Sequence, residues 1–197
     1  FASMATMGRD MRFDLKRIEG YRNFCNKLWN AARFIIMNTE GVRLPRNEPN
    51  PEDMSLADIW IQGKLHSLIK SVEKNITNYR IDLIANALYD FVWNDYCNWY
   101  LELSKSILKD NNQSQHEQKK ATQLNLLYTL DTTLKCLHPI IPFITEELWK
   151  TINTDPTKKS IMVENYPNSK DFTANQPVLD QMDWLIDFVV NIRQIRS

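Results

Sequence analysis

The sequence has few of the residues that build tight turns, covalent cross-links or metal sites. It contains only four glycines in 197 residues, which argues against an all-β sandwich, because such folds need many tight turns. Its three cysteines, Cys25, Cys97 and Cys136, lie far apart and form no C-x-x-C pair. This spacing predicts neither a disulfide framework nor a zinc site, and it is typical of buried thiols in a reducing compartment.

The chain also lacks the sequence features of export and membrane insertion. No apolar run approaches the roughly 18 residues of a membrane span, and no signal-peptide pattern is present. We therefore expect a cytoplasmic protein without a membrane partner. Because the sequence starts at Phe1 and not at Met, we interpret it as a fragment of a longer protein.

Motifs for catalysis are missing as well. The sequence contains no P-loop, dinucleotide-binding, zinc-hydrolase or nucleophile-elbow motif, and its histidines, His66, His116 and His138, are scattered. Glu146 and Glu147 follow Pro142 in the first turns of a predicted helix, where acidic side chains favour the helix N-terminus. We therefore predict no catalytic residue, no metal site and no cofactor in this chain.

The charge balance excludes one class of nucleic-acid binder and leaves another open. With 24 basic and 24 acidic side chains, the formal net charge is +0, unlike that of a dedicated nonspecific binder, which carries a basic excess. From Arg9 to Arg33, however, seven basic and three acidic residues give a local charge of +4. A small basic face near the start of the chain is therefore compatible with the composition.

What the sequence does contain is helical periodicity. Apolar residues recur at spacings of three and four, Ser55 and Asp58 resemble a capping box, and Pro142 suits a first helical turn. Helices are predicted over residues 15–38, 56–77, 80–110, 117–137, 142–150 and 180–196, with a short irregular or β segment near 158–166. The predicted fold class is all-α, a helical bundle of about five to six helices.

We divide the chain into a lead-in segment over residues 1–14, a helical bundle over 15–152, and an irregular segment with a final, truncated helix over 153–197. In the third helix the periodicity predicts a core stripe on one side and a second apolar line on the other. We expect Trp93 and Cys97 of this second line to be buried, and Leu101 to lie at a rim. The predicted core stripe comprises Ile81, Ile84, Leu88, Val92, Tyr96, Trp99, Leu103 and Ile107.

The first helix separates into an apolar and a polar side when its residues are placed roughly 100° apart. The predicted core side carries Tyr21, Cys25, Leu28, Trp29, Ala32, Ile35 and Ile36. The polar side carries Lys16, Gly20, Asn23, Lys27, Asn30 and Phe34, with Arg33 on its edge.

This polar side suits single-stranded RNA. Lys27 and Arg33 can neutralise phosphates, Asn23 and Asn30 present donors and acceptors to base edges, and Phe34 offers a stacking surface. A glycine at position 20 costs a helix about 1 kcal/mol relative to alanine, which favours close approach of a partner to the backbone. The alternative from geometry alone is an ordinary solvated face with one stray aromatic.

Three motifs carry a resemblance to a known family. The segment from Gly20 to Phe34 (GYRNFCNKLWNAARF) closely resembles the helix that opens the anticodon-binding domain of valine–tRNA ligases. The lead-in from Gly8 to Asp14 (GRDMRFD) and the segment from Phe91 to Glu102 (FVWNDYCNWYLE) are similar to further motifs of that family. A weaker match, from Leu137 to Trp149, is shared with the ligases for isoleucine, leucine and methionine.

The resemblance implies that this chain recognises a tRNA anticodon and is itself inactive. It places anticodon contacts on Lys16, Lys27, Arg33 and Phe34 in the first helix, and on Leu101 and Glu102 in the third. Phe34 and Leu101 would pack against unstacked bases. Some relatives carry arginine at the position of Lys16, which would change the hydrogen bonding available there.

The resemblance also implies what the longer protein does. A valine–tRNA ligase attaches valine to tRNA with ATP and magnesium, through catalytic and editing domains that this sequence lacks, and we expect the parent to be monomeric. Two alternatives stay open: the equivalent domain of an isoleucine or leucine ligase, and a helical protein-interaction scaffold with no RNA role.

Overall fold

The computed structural model of the protein describes residues 2–4, 15–44, 49–110, 116–153 and 155–196. The motif from Gly8 to Asp14, the residues 45–48 and 111–115 of two predicted loops, and Ser197 lie outside the described residues. In the described ranges the chain forms six helices and no strand, which confirms the all-α bundle. They are α1 (Leu15–Asn38), α2 (Leu56–Thr77), α3 (three consecutive segments, Ile81–Asp90, Phe91–Tyr100 and Leu101–Lys109), α4 (His116–Leu137), α5 (Pro142–Ile152) and α6 (Gln176–Arg196).

The segment between α5 and α6 is irregular and contains short 3₁₀ turns, at Ile161–Val163 and Ser169–Asp171. The Glu146 carboxylate accepts hydrogen bonds from the Ser160 hydroxyl at 2.9 Å and from the Ile161 amide at 3.2 Å. These bonds fix the turn against α5, so the suggested strand near residue 160 does not form. Glu146 therefore holds this loop against α5, in addition to its favourable electrostatic position near the helix N-terminus.

Helix α4 lies at the centre of the bundle. From Ala121 to Leu137 most of its side chains are buried on every side, including Leu127, Leu130 and Leu134. Leu124 of the same helix is half-buried. Within the described part of the chain, no helix is both long and apolar enough to cross a membrane.

The start of α2 is fixed by the predicted capping box. The Ser55 hydroxyl accepts a hydrogen bond from the Asp58 amide at 3.2 Å, and Asp58 Oδ2 accepts one from the Ser55 amide at 3.0 Å. These two bonds satisfy backbone donors that a helix N-terminus leaves unpaired.

The Asp58 side chain, fully buried, does more than cap its helix. Its Oδ1 accepts hydrogen bonds from the Tyr100 hydroxyl of α3 at 2.5 Å and from Asn125 Nδ2 of α4 at 3.3 Å. Its Oδ2 accepts one from the Thr122 hydroxyl of α4 at 2.7 Å. Burial and the Asp58 carboxylate raise the pKa of Tyr100, so the phenol stays protonated as a donor. One carboxylate thus joins three helices.

Helix α3 does not keep one helical repeat. Its central segment, Phe91–Tyr100, is π-helical, with backbone hydrogen bonds to the fifth residue along instead of the fourth. The buried positions there follow a five-residue spacing, from Phe91 to Tyr96 to Leu101.

The wider turn shifts the core stripe by one residue in the second half of α3. The predicted core residues Ile84, Leu88, Val92 and Tyr96 are buried. After them, Tyr100, Ser104 and Leu108 take the core positions that the 3.6-residue period assigned to the half-buried Trp99, Leu103 and Ile107. At the start of α3, Ile81 is 51% exposed, so that prediction was also wrong.

Helix α6 packs along α2. Trp60 Nε1 donates a hydrogen bond to Asp183 at 3.1 Å, and the Lys64 ammonium lies 2.9 Å from the same carboxylate. Gly63 allows the close approach, because a Cβ at this position would lie 3.0 Å from Leu179 Cδ2.

A half-buried carboxyl lies near this contact. Burial raises the pKa of Asp95 to about 6, and the carboxylates of Asp183 and Asp90 add to the increase, while Lys64 opposes it. The folded state therefore prefers Asp95 in its protonated form more strongly than the unfolded state does.

We predict that Asp58→Ala lowers the free energy of unfolding by about 3–5 kcal/mol, because it leaves the buried hydroxyl donors of Tyr100 and Thr122 without their acceptor. Ser55→Ala, which removes the cap alone, should cost about 1 kcal/mol. Urea denaturation of both variants measures the difference. Equal losses would show that Asp58 acts only as a capping residue.

We predict that Asp95→Asn stabilises the protein at about pH 8, where the wild-type carboxylate is charged in a half-buried place. After allowance for solvent screening, the gain is about 1 kcal/mol, or about 2–4 °C in melting temperature. As the pH falls from about 6 towards the ordinary value of 3.8, the folded wild type takes up a proton first, and the difference disappears. Melting curves of wild type and Asp95→Asn across this pH range test the prediction, and the substitution of an exposed carboxyl, Asp187→Asn, is the control. A stability difference that persists at low pH would contradict the raised pKa of Asp95.

Candidate nucleic-acid interface

The buried side of α1 is rotated from the predicted one. Phe24, Leu28, Ala31, Ala32 and Ile35 form it, each no more than 6% exposed. Trp29, which the helical wheel placed in the core, is 45% exposed, so that prediction was wrong. The core side is turned by about 50°, towards Lys27 and Phe34.

This rotation changes where the predicted polar stripe lies. Lys16, Asn23, Asn30 and Arg33 are exposed, whereas Lys27 and Phe34 are half-buried. The stripe therefore runs along the edge of the core instead of opposite to it. At this edge α1 meets α3, the other helix on which anticodon contacts were placed.

The Lys27 ammonium lies against α3. Its Nζ is 3.8 Å from the centroid of the Trp93 ring and donates a hydrogen bond to Asn98 Oδ1 at 2.6 Å. Partial burial lowers the pKa of Lys27, and the nearby Cys97 thiol opposes the decrease weakly. The result is a half-buried cation held by two side chains of another helix.

Phe34 lies further along the same edge. One part of its ring packs against the core, and the Lys105 ammonium lies 5.6 Å from the ring centroid. Lys105 also pairs with Glu102, its Nζ 2.5 Å from Oε1, and the Glu102 side chain is 59% exposed. A ring, a cation and an exposed carboxylate thus lie side by side.

We call this edge the α1–α3 seam, defined by Lys27, Phe34, Trp93, Asn98, Glu102 and Lys105. It combines two aromatic rings, an amide, two ammonium groups and a carboxylate on a packed pair of helices. Such a set can contact phosphates, base edges and base faces within one small area.

Leu101 does not belong to the seam. It is 6% exposed and packs in the core, so the expectation of a rim position was wrong. The cause is the π-helical segment before it, which advances the buried side to position 101. Cys97 is only 8% exposed, which confirms the expectation that it is buried.

The predicted site omitted Trp93, Asn98 and Lys105. Trp93 and Asn98 are five residues apart, a spacing that shares a side only in a π-helical segment. A search based on the α-helical period does not group them. Lys105 could have been found, since it follows Glu102 at the three-residue spacing of helical ion pairs.

Other reactive groups do not form a site in the described residues. No group of three or more histidine, cysteine, aspartate or glutamate side chains there is placed to hold a metal ion. All three cysteines are free thiols. Burial raises the pKa of Cys97 to about 11 and that of Cys136 to about 12, which makes these thiols poor nucleophiles.

Comparison with known proteins shows the family of this chain. Residues 58–197 match the model of the family described as "Anticodon-binding domain of tRNA ligase". The chain therefore belongs to the family of anticodon-binding domains of tRNA ligases.

Particular relatives extend the match to the whole chain. The chain is 45% identical to the valine–tRNA ligase of Legionella pneumophila (strains Lens and Paris) and 44% identical to that of Coxiella burnetii, each over 199 aligned residues. The alignments cover 100% of this chain and 21% of each relative. Helix α1 lies outside the family model's range but inside these alignments.

Gly20 gives a test of the exposed side of α1. A Cβ at Gly20 would meet nothing within 4 Å, so the fold itself does not require glycine there. We predict that Gly20→Ala stabilises the protein by about 1 kcal/mol. If RNA approaches the backbone at this position, the same variant binds an anticodon stem-loop less tightly. Melting and binding are measured together; unchanged binding would remove Gly20 from the interface.

Proposed function

We propose that this chain is the anticodon-recognition domain of a valine–tRNA ligase, and that it binds the anticodon loop of valine tRNA through the α1–α3 seam. The observation that carries the proposal is that two predicted residues of α1, Lys27 and Phe34, lie against the part of α3 that carries the predicted Glu102. Lys27 and Phe34 of α1 contact Trp93, Asn98 and Lys105 of α3 directly. Membership of the anticodon-binding family and the valine–tRNA ligase relatives support it.

The chemistry of the seam fits an unpaired loop. Unstacked bases bind aromatic rings and present their edges to amides and charged groups, while the backbone phosphates attract lysines. Phe34 offers the ring, Glu102 an acceptor, and Lys27 and Lys105 the cations. The exposed Lys16, Asn23, Asn30 and Arg33 extend the same surface along α1.

The longer protein would attach valine to tRNA with ATP and magnesium, and would do so as a monomer. The chain spans about a fifth of the length of the relatives it matches. We therefore assign activation of the amino acid to parts outside this chain, and to this chain only the recognition of tRNA. An ATP–pyrophosphate exchange assay with this chain should give no signal.

One observation favours an additional protein contact. Helix α6 exposes Trp184, Phe188 and Ile195, which are 66%, 50% and 85% exposed. An apolar face of this kind suits a protein surface better than RNA. It lies on a helix other than those of the seam, so a contact there is compatible with tRNA binding.

We predict that Phe34→Ala weakens binding of the valine tRNA anticodon stem-loop by about five-fold or more, because a stacking surface is lost. Since Phe34 is half-buried, a modest decrease in melting temperature is also expected. Trp29→Ala, which removes an exposed aromatic from the same helix, is the matched control and should leave binding unchanged. The proposal fails if Phe34→Ala binds as wild type does, or if both variants lose affinity equally.

Competition among tRNAs tests the choice of valine. We predict that stem-loops with isoleucine and leucine anticodons compete less well than the valine stem-loop. Affinity should fall as salt rises, because lysine–phosphate contacts release counterions. Equal competition by all three would leave the seam an RNA-binding surface without valine specificity.

A further inference from the structure

The Trp93 indole makes two close contacts within the protein, with Lys27 and with Tyr89. The Lys27 ammonium lies 3.8 Å from its centroid, and Tyr89 stacks on the indole with a centroid separation of 5.6 Å and an interplanar angle of 7°. The indole therefore acts as a contact for the Lys27 ammonium within the protein.

The Tyr89 ring that stacks on the indole also contacts the core. Tyr89 stacks in turn on Phe24 of α1, with a centroid separation of 5.0 Å and an interplanar angle of 24°. Phe24 is buried in the core. A series of ring contacts thus connects Phe24 of α1 in the core, through Tyr89, to Trp93, which also contacts the Lys27 ammonium.

Asn98 fixes the ammonium from a second direction. The bond from Lys27 Nζ to Asn98 Oδ1 is 2.6 Å long and uses one of the three donors of the ammonium. Trp93 and Asn98 both lie in the π-helical segment Phe91–Tyr100. An α-helix would turn residues five apart away from each other, whereas the wider π turn brings them around one cation.

We propose that Trp93 and Asn98 are positioning residues, which hold the Lys27 ammonium where it contacts the RNA. This inference rests on the proposed function of the seam. A lysine side chain is flexible, and fixing it before binding reduces the conformational entropy that complex formation would otherwise cost. The π-helical segment then has a function, since it brings the two positioning residues together.

A double-mutant cycle tests the proposal on the 197-residue chain with the valine anticodon stem-loop as probe. Lys27→Ala should weaken binding and reduce the slope of log affinity against log salt by about 1. Trp93→Leu should weaken binding by about two- to five-fold and leave the slope nearly unchanged, because the charge remains. In the Lys27→Ala background, Trp93→Leu should have no further effect.

Three further variants separate positioning from a general loss of packing. Trp93→Phe keeps a ring beneath the ammonium and should retain more affinity than Trp93→Leu. Asn98→Ala should weaken binding only while Lys27 is present. Trp99→Leu is the matched control: Trp99 is a half-buried indole of the same segment, but its ring faces Arg193 of α6 at 5.2 Å. It should leave RNA binding unchanged.

The outcomes distinguish the inference from the function on which it rests. If the wild-type chain binds no stem-loop, the proposed function fails, and the positioning role fails with it. If Lys27→Ala weakens binding but Trp93→Leu does not, only the positioning role is overturned. It is also overturned if Trp93→Leu weakens binding equally with and without Lys27, because the effect would then not pass through the ammonium.

Discussion

The fold depends on one buried carboxylate. Asp58 forms the capping box of α2 together with Ser55. It also accepts hydrogen bonds from Tyr100 of α3 and Thr122 of α4. Because an unpaired buried polar group is costly, these donors and their acceptor fix the relative positions of three helices. Tyr100 ends the π-helical segment, so the same network determines where the residues before and after it meet α1.

The α1–α3 seam depends on this position of α3 relative to α1. In its π-helical segment α3 turns more slowly than an α-helix, which puts Leu101 into the core and leaves Glu102 and Lys105 beside Phe34. The same segment places Trp93 and Asn98 around Lys27. A local change of helical repeat thus converts two packed helices into a surface with a fixed cation, a ring and a carboxylate.

Much of the architecture was predictable from local rules. The bounds of α1 and α2, the Ser55–Asp58 box and Pro142 at the start of α5 follow from apolar period and capping chemistry. The register of the site could not be predicted, because a helical repeat of 3.6 residues does not indicate a π-helical segment. Leu101 was misplaced because of the same segment. Trp29 was misplaced for another reason: near the edge of the apolar stripe of α1, packing against neighbouring helices decides which residue is buried.

Binding of RNA at the α1–α3 seam can be followed directly through the indole N–H signals of the tryptophans. The chain has six tryptophans, and Trp93 lies in the seam, whereas Trp149 of α5 is buried and Trp184 of α6 is exposed. In a ¹H–¹⁵N NMR titration with the valine anticodon stem-loop, the account predicts a shift of the Trp93 signal while those of Trp149 and Trp184 stay in place. A shift of Trp184 with Trp93 unchanged would contradict it.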